Sequence, residues 1–199
     1  MKDILSSLLV FCLSFLVLHK GYSVEKTPNI IIVFTDDMGY GDLACYGNKI
    51  TLTPNIDRLA EEGIRFSDFY AGASLCTPSR AALLTGTYPA RNNMSVNFRG
   101  ECVCFPVDEM GLNPKELTIA ELLKQKEYKT ALIGKWHLGD QKEFLPTRQG
   151  FDYYYGVPYS NDTGEGRFKW RGINQTYDQP PIPLMRNETV IEQPVVQNT

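Results

Sequence analysis

Three short stretches of the chain carry side chains whose types and spacing can do chemistry together. In the first, Cys76-Thr77-Pro78-Ser79-Arg80 runs on into Ala81-Ala82-Leu83-Leu84-Thr85-Gly86. Pro78 suits a first helical turn, where a missing N–H costs nothing, and Gly86 suits a C-terminal cap, so residue 76 falls at a helix start. N–H groups and the positive end of the helix dipole would face an anion there, and Arg80, four residues on, shares the face of residue 76. An ordinary capped core helix would use the same residues. In the second stretch, Asp36-Asp37 directly follows an apolar run. Paired carboxylates at the carboxyl end of a strand can hold a divalent cation, although Asp is equally at home in a strand-to-loop turn. In the third, Gly134-Lys135-Trp136-His137 ends another apolar run. The two-residue spacing places Lys135 and His137 on one face of an extended chain, a fixed cation beside a base that titrates near neutral pH. A solvated loop edge is the plainer reading of that pair.

The elements that must position these groups are legible as an alternation. Asn29 to Thr35 is short, β-branched and almost wholly apolar, the pattern of a strand buried on both faces. Thr53-Pro54 opens a helix through Ile56, Leu59 and Ala60 that Gly63 closes, and Ile64 to Tyr70 follows as a short extended segment before the Cys76 helix. Thr118-Ile119-Ala120-Glu121 is a capping box at the head of another helix, and Lys129 to Gly134 is the next buried strand. Strand, helix and strand in this order predict an α/β fold, a mixed and largely parallel sheet flanked by helices. From Phe151 onward aromatics, Gly and Pro crowd in, and Gln179-Pro180-Pro181-Ile182-Pro183 reads as irregular loop.

The formal charge of −3 over 199 residues gives no electrostatic footprint for nucleic acid or a membrane surface. Lys2, the apolar run Ile4 to Leu18 and the small residues around Gly21-Tyr22-Ser23 predict a secretory signal over residues 1–23; the run is short for a membrane span. Sequons at Asn93, Asn161, Asn174 and Asn187 fit a chain in the secretory pathway. Of the five cysteines, Cys12 lies in the expected signal, and Cys45, Cys102 and Cys104 leave an odd remainder beside Cys76, which is no disulfide framework. Beyond the signal there is one histidine and no CxxC, so a zinc site is not expected.

The run from Ser74 to Gly86 resembles the first motif of the sulfatases, and Tyr128 to His137 resembles their second, with Glu127 where the family usually has Gly. Ile31 to Gly41 is similar to the family's opening strand and loop, and Gly150-Phe151-Asp152 with Pro158-Tyr159-Ser160-Asn161-Asp162 resembles the arylsulfatase branch. The resemblance implies an alkaline-phosphatase-like fold and hydrolysis of sulfate esters of glycolipids, sugars or aryl alcohols, in a lysosome or outside the cell. It implies that a formylglycine-generating enzyme oxidises Cys76, and that one calcium ion is held by Asp36, Asp37 and residue 76. It also implies that Arg80 and Lys135 hold the aldehyde hydrate and its sulfate, that His137 assists proton removal, and that Ser160 touches substrate. On this reading residues 24–199 are the N-terminal part of a catalytic domain, with the remaining ligands and the leaving-group acid beyond residue 199 and the chain inactive by itself. Two other readings stand beside it: a secreted glycoprotein using a sulfatase half-fold as a binding module, and a phosphoester hydrolase, which Cys in place of Ser or Thr at position 76 disfavours.

Overall fold

The computed structural model describes residues 27–96, 100, 102–163, 166–168 and 177–195. The expected signal with Cys12, and the sequon at Asn174, lie outside the described residues. The chain divides into two compact units, Met1–Gly39 and Tyr40–Thr199.

In the first unit, residues 27–35 have no regular secondary structure, and Ile31 and Val33 are 85% and 83% exposed. The doubly buried strand expected over Asn29 to Thr35 is therefore not formed. A β-branched run becomes an interior strand only when strands pair with its edges and other elements cover its faces, and no strand among the described residues pairs with it. The chain bends at Asp36-Asp37, where Asp37 takes φ 52°, a left-handed conformation that aspartate tolerates better than most residues.

The second unit opens with two single 3-10 turns, Tyr40–Asp42 and Ala44–Tyr46, followed by helix α1 (Pro54–Glu62). Gly63 ends α1 as expected, its N–H donating to Leu59 O at 3.0 Å. Thr53 does not cap the helix with its side chain. Its hydroxyl accepts the Ala44 N–H and donates to the Asp57 carboxylate, both at 3.0 Å, so the helix start is fastened to the preceding turn. No residue of α1 is buried, and Ile64 to Tyr70 forms no strand. Helix α2 (Cys76–Thr85) closes at Gly86, which takes φ 63°. Helix α3 (Ile119–Lys124) starts on the expected box: Thr118 Oγ1 accepts the Glu121 N–H at 3.2 Å and Glu121 Oε2 accepts the Thr118 N–H at 2.8 Å.

Strand β1 (Ala131–Ile133) lies inside the expected span and pairs in parallel with β2 (Tyr153–Gly156), Ala131 opposite Tyr153. Strands β3 (Gly166–Phe168) and β4 (Tyr177–Gln179) form a separate antiparallel pair. Strands β5 (Leu184–Arg186) and β6 (Thr189–Glu192) extend the main sheet, whose order is β1-β2-β5-β6 with both later pairings antiparallel. The class is thus α/β with a mixed sheet whose parallel pair is β1 and β2. Strand β1 is an edge among the described strands, so Ile133 is 68% exposed rather than buried as expected. The tight turn between β5 and β6 is Asn187-Glu188, with Asn187 at φ 53°; its N–H donates to Tyr154 O at 2.8 Å and its side-chain oxygen accepts the Tyr154 N–H at 2.9 Å.

The core gathers Ala81 from α2, Met94, Cys104, Leu112, Trp136, Leu138, Leu145, Tyr154 from β2 and Met185 from β5. Trp136 is anchored at both ends, its ring edge-on to Phe151 and its indole N–H donating to Phe144 O at 2.9 Å. That core fixes α2 against the segment that leaves β1, and those two pieces carry the candidate site.

Candidate functional site

Helix α2 begins at Cys76, which is partly exposed, while Thr77, Pro78 and Ser79 behind it are buried. The first turn therefore has its backbone packed and its residue 76 accessible, with the positive end of the helix dipole at that residue. Two side chains of the same helix reach across to the chain beyond β1. Thr77 Oγ1 donates to His137 O at 2.9 Å, and Arg80 Nη1 donates to Lys135 O at 2.8 Å. These two bonds, each spanning more than fifty residues of sequence, bring the first and third motifs together.

The parallel register of β1 and β2 continues past both strands. Gly134 N–H donates to Tyr155 O at 2.9 Å, Trp136 N–H to Val157 O at 2.9 Å and His137 N–H to Pro158 O at 3.0 Å. This ladder carries Ser160 into place, and Lys135 Nζ donates to Ser160 Oγ at 3.1 Å. Gly156 must lack a side chain here, because a Cβ would strike the Gly134 carbonyl. The segment is not the extended chain that the two-residue spacing predicts: Gly134 has φ 115° and His137 φ 60°. Lys135 and His137 therefore do not share a face by simple alternation. They reach the same neighbourhood by different routes, Lys135 toward Ser160 and His137 toward Cys104.

His137 is 1% exposed, and its Nε2 lies 2.8 Å from Cys104 O. A carbonyl can only accept, so Nε2 carries the proton. Burial, reinforced by the nearby charge of Lys135, lowers the imidazole pKa to about 4, so the ring is neutral at neutral and mildly acidic pH. Its other nitrogen, Nδ1, is then a bare acceptor, buried and without a hydrogen-bond partner. Such an orphan is costly in a folded protein unless a ligand or a reacting group uses it. Cys104 itself is a buried thiol whose pKa is pushed up to about 12, mainly by desolvation, so it is an inert thiol and not a nucleophile.

Among the sequence-predicted residues, the structure brings together α2 with Arg80, the backbone of Lys135 and His137, and the Lys135–Ser160 pair. Asp36 and Asp37 belong to the first unit, at its exposed bend. Among the described residues no group of three or more His, Cys, Asp and Glu side chains could hold a metal ion. Two carboxylates are the right kind of donor for calcium, a hard cation, but fall short of the six or more oxygens it takes. Of the sequons, Asn93 and Asn161 are exposed, whereas Asn187 is partly buried and holds Tyr154. Sequence reasoning missed Thr77 and the backbone of Cys104. Thr77 sits inside a recognised motif, but nothing in the sequence distinguishes it from a filler, and a backbone carbonyl leaves no sequence signal at all.

The family model described as Sulfatase matches residues 28–183. Human arylsulfatase A is 45% identical over 194 residues, an alignment covering 90% of this chain and 36% of that protein. The crystal structure of Ps i-CgsB superposes with a TM-score of 0.68 at 34% identity, over 84% of this chain and 38% of that one. A second solved structure, a complex with its substrate D-glucosamine-2-N,6-O-disulfate, gives a TM-score of 0.60 at 32% identity over 84% of this chain and 28% of the other. The chain thus spans little more than a third of the curated relative's length.

Proposed function

The chain belongs to the sulfatase family, and on that premise we propose that it carries the nucleophile end of a sulfuric ester hydrolase of the arylsulfatase type. Its substrates are sulfate esters of glycolipids, sugars or aryl alcohols; arylsulfatase A is a relative by name, and a related solved structure holds a sugar disulfate. Residue 76 acts as formylglycine, made from Cys76 by a formylglycine-generating enzyme. Once hydrated, that group offers one hydroxyl to attack sulfur and a second whose deprotonation releases sulfate, a route that a simple thiol or serine ester lacks.

The observation that carries this reading is the bare, buried Nδ1 of a neutral His137, fastened through its own backbone to the first turn of the helix that starts at residue 76. A general base needs an unprotonated lone pair and a pKa below the working pH, and His137 has both. Arg80 and Lys135 supply the positive charge that a sulfate and its developing oxyanion require, and Ser160, bonded to Lys135, orients that ammonium and touches the substrate. Asp36, Asp37 and residue 76 are the residues that would bind one calcium ion, whose positive charge would offset that of the sulfate. Residues 1–23 direct the chain into the secretory pathway, toward a lysosome or the cell exterior, with glycans on Asn93, Asn161, Asn174 and Asn187.

Peptide mass spectrometry across residue 76, on protein from a secretory host that modifies a control sulfatase, is the test. The expected result is the loss of sulfur that accompanies conversion to formylglycine. An unmodified thiol at residue 76 overturns the catalytic reading.

A further inference from the structure

Three hydrogen bonds around the start of α2 close on themselves. The Cys104 N–H donates to Thr77 Oγ1 at 3.1 Å, Thr77 Oγ1 donates to His137 O at 2.9 Å, and His137 Nε2 donates to Cys104 O at 2.8 Å. All three residues are buried, Thr77 to 2% exposure, Cys104 to 3% and His137 to 1%. The ring therefore links the residue that follows residue 76, the loop that faces it and the imidazole whose other nitrogen is bare. His137 also sits at φ 60°, a left-handed conformation that is strained for a non-glycine residue and persists only where its surroundings impose it. The surroundings that impose it are the His137 N–H bond to Pro158 O at 3.0 Å on one side and the Thr77 hydroxyl on the other.

We propose that Thr77 is a positioning residue: its hydroxyl, held by the Cys104 amide and bonded to the His137 carbonyl, locks the His137 imidazole as the Nε2-protonated tautomer with Nδ1 bare. The inference deepens the reading of His137 as the proton acceptor and rests on it. The logic is that of a histidine whose working nitrogen is fixed by what its other nitrogen binds. Cys104 contributes through its backbone alone: Asp108 Oδ2 accepts the Phe105 N–H of the peptide that carries the Cys104 carbonyl at 2.8 Å, and Thr77 holds the Cys104 N–H of the peptide before it while also binding the His137 carbonyl, so Thr77 is the side chain that ties this loop to the His137 backbone. Valine matches threonine in shape but lacks the hydroxyl, leaving the Cys104 N–H and the His137 carbonyl buried without their partner. Serine keeps the hydroxyl.

The experiment labels the full chain with 15N-histidine and reads imidazole nitrogen shifts at pH 7, with His19→Gln removing the second histidine signal. Wild type and Thr77→Ser are expected to show a single Nε2-protonated form, and Thr77→Val a mixture of both tautomers. Thr77→Ala, which removes the hydroxyl without adding bulk, is run beside it, so that failure of one variant to fold leaves the other to decide. A single Nε2-protonated form in a folded variant without the hydroxyl overturns the proposal. If neither variant folds, loss of the single form in wild type at raised temperature, before its core unfolds and in step with exchange of the Cys104 amide, supports it; retention of that form after the amide has exchanged overturns it. Each variant is weighed by mass at residue 76. That reading tests the sulfatase chemistry and is indifferent to the tautomer, so the two ideas fail separately. In an assay of sulfate ester hydrolysis, Thr77→Val is expected to lower kcat about 10- to 100-fold with KM unchanged, and Thr77→Ser to restore it.

Discussion

Helices α1 and α2 both begin with a proline in their first turn and end on a glycine, yet they are held in opposite ways. Helix α1 is fastened by neighbours: Thr53 and Asp57 bond to the Ala44 and Cys45 amides, nine and twelve residues back along the chain, and none of its side chains is buried. Helix α2 buries Thr77, Pro78, Ser79 and Ala81 and is bonded to Lys135 and His137, more than fifty residues away. The geometry of the candidate site therefore belongs to long-range packing, whereas α1 is a local structure. Four predictions test that division.

The largest effect is expected at Trp136, the core residue between Lys135 and His137. Trp136→Ala removes a buried indole and its bond to Phe144 O, and should cost about 3 to 5 kcal/mol in a urea unfolding curve. A cost below about 1 kcal/mol would mean that the site frame stands without the core, and the contrast with α1 would fall.

Acid should loosen the same frame. His137 has a folded pKa of about 4 against about 6.5 when unfolded, so between these values the unfolded chain binds more protons. Stability is expected to be full above pH 6.5 and to fall by about 3 kcal/mol as the pH drops to 4, with His137→Gln removing that slope. Asp152 acts in a lower window. Its carboxylate is held at about 2, chiefly by its bond to Lys124 and then by the Thr130 amide, so its contribution is lost only as the pH falls below about 4 toward 2. A wild-type curve that is flat from pH 7 to 4 would contradict the burial of a neutral His137.

Gly156→Ala tests the join between β2 and the segment leaving β1. The added methyl must displace the Gly134 backbone, an overpacking expected to cost about 1 to 3 kcal/mol. Because that ladder also places Ser160, a spin-echo or exchange measurement should show the Tyr159 to Asp162 amides broadened in the variant and sharp in wild type.

How much of this was legible in the sequence follows the same division. Helix boundaries were readable where local chemistry sets them: Gly86 and Gly63 as stops, and Thr118 with Glu121 as a reciprocal cap. The motif residues Arg80, Lys135, His137 and Ser160 were legible through family resemblance; one parallel register brings Lys135, His137 and Ser160 together, and Arg80 joins them through its bond to Lys135 O. Burial was not legible, because apolar composition says what a strand prefers and not which neighbours it has. Asn29 to Thr35 is bare and β1 is an edge for that reason. Strands β2, β5 and β6 were hidden in a stretch whose aromatics, Pro and Gly resemble loop composition, and their tight turn depends on Asn187, which the sequence offers first as a sequon. The His137 tautomer depends on a backbone carbonyl, and the spacing rule that put Lys135 and His137 on one face failed at two positive φ angles.

The smallest effect is expected in α1. Leu59 lies in the middle of that helix and is 67% exposed, so Leu59→Ala removes little buried surface and trades leucine for the best helix former. Its effect on global stability should stay within about 0.5 kcal/mol. Amide hydrogen exchange should agree: α1 amides open locally, held among the described residues by bonds to a nearby turn, while those of the last turn of α2, up to Gly86, exchange only when the core around Ala81 and Trp136 opens. If α1 and α2 were equally protected, or if Leu59→Ala cost more than 1 kcal/mol, α1 would have to be packed against something that holds it as firmly as the core holds α2.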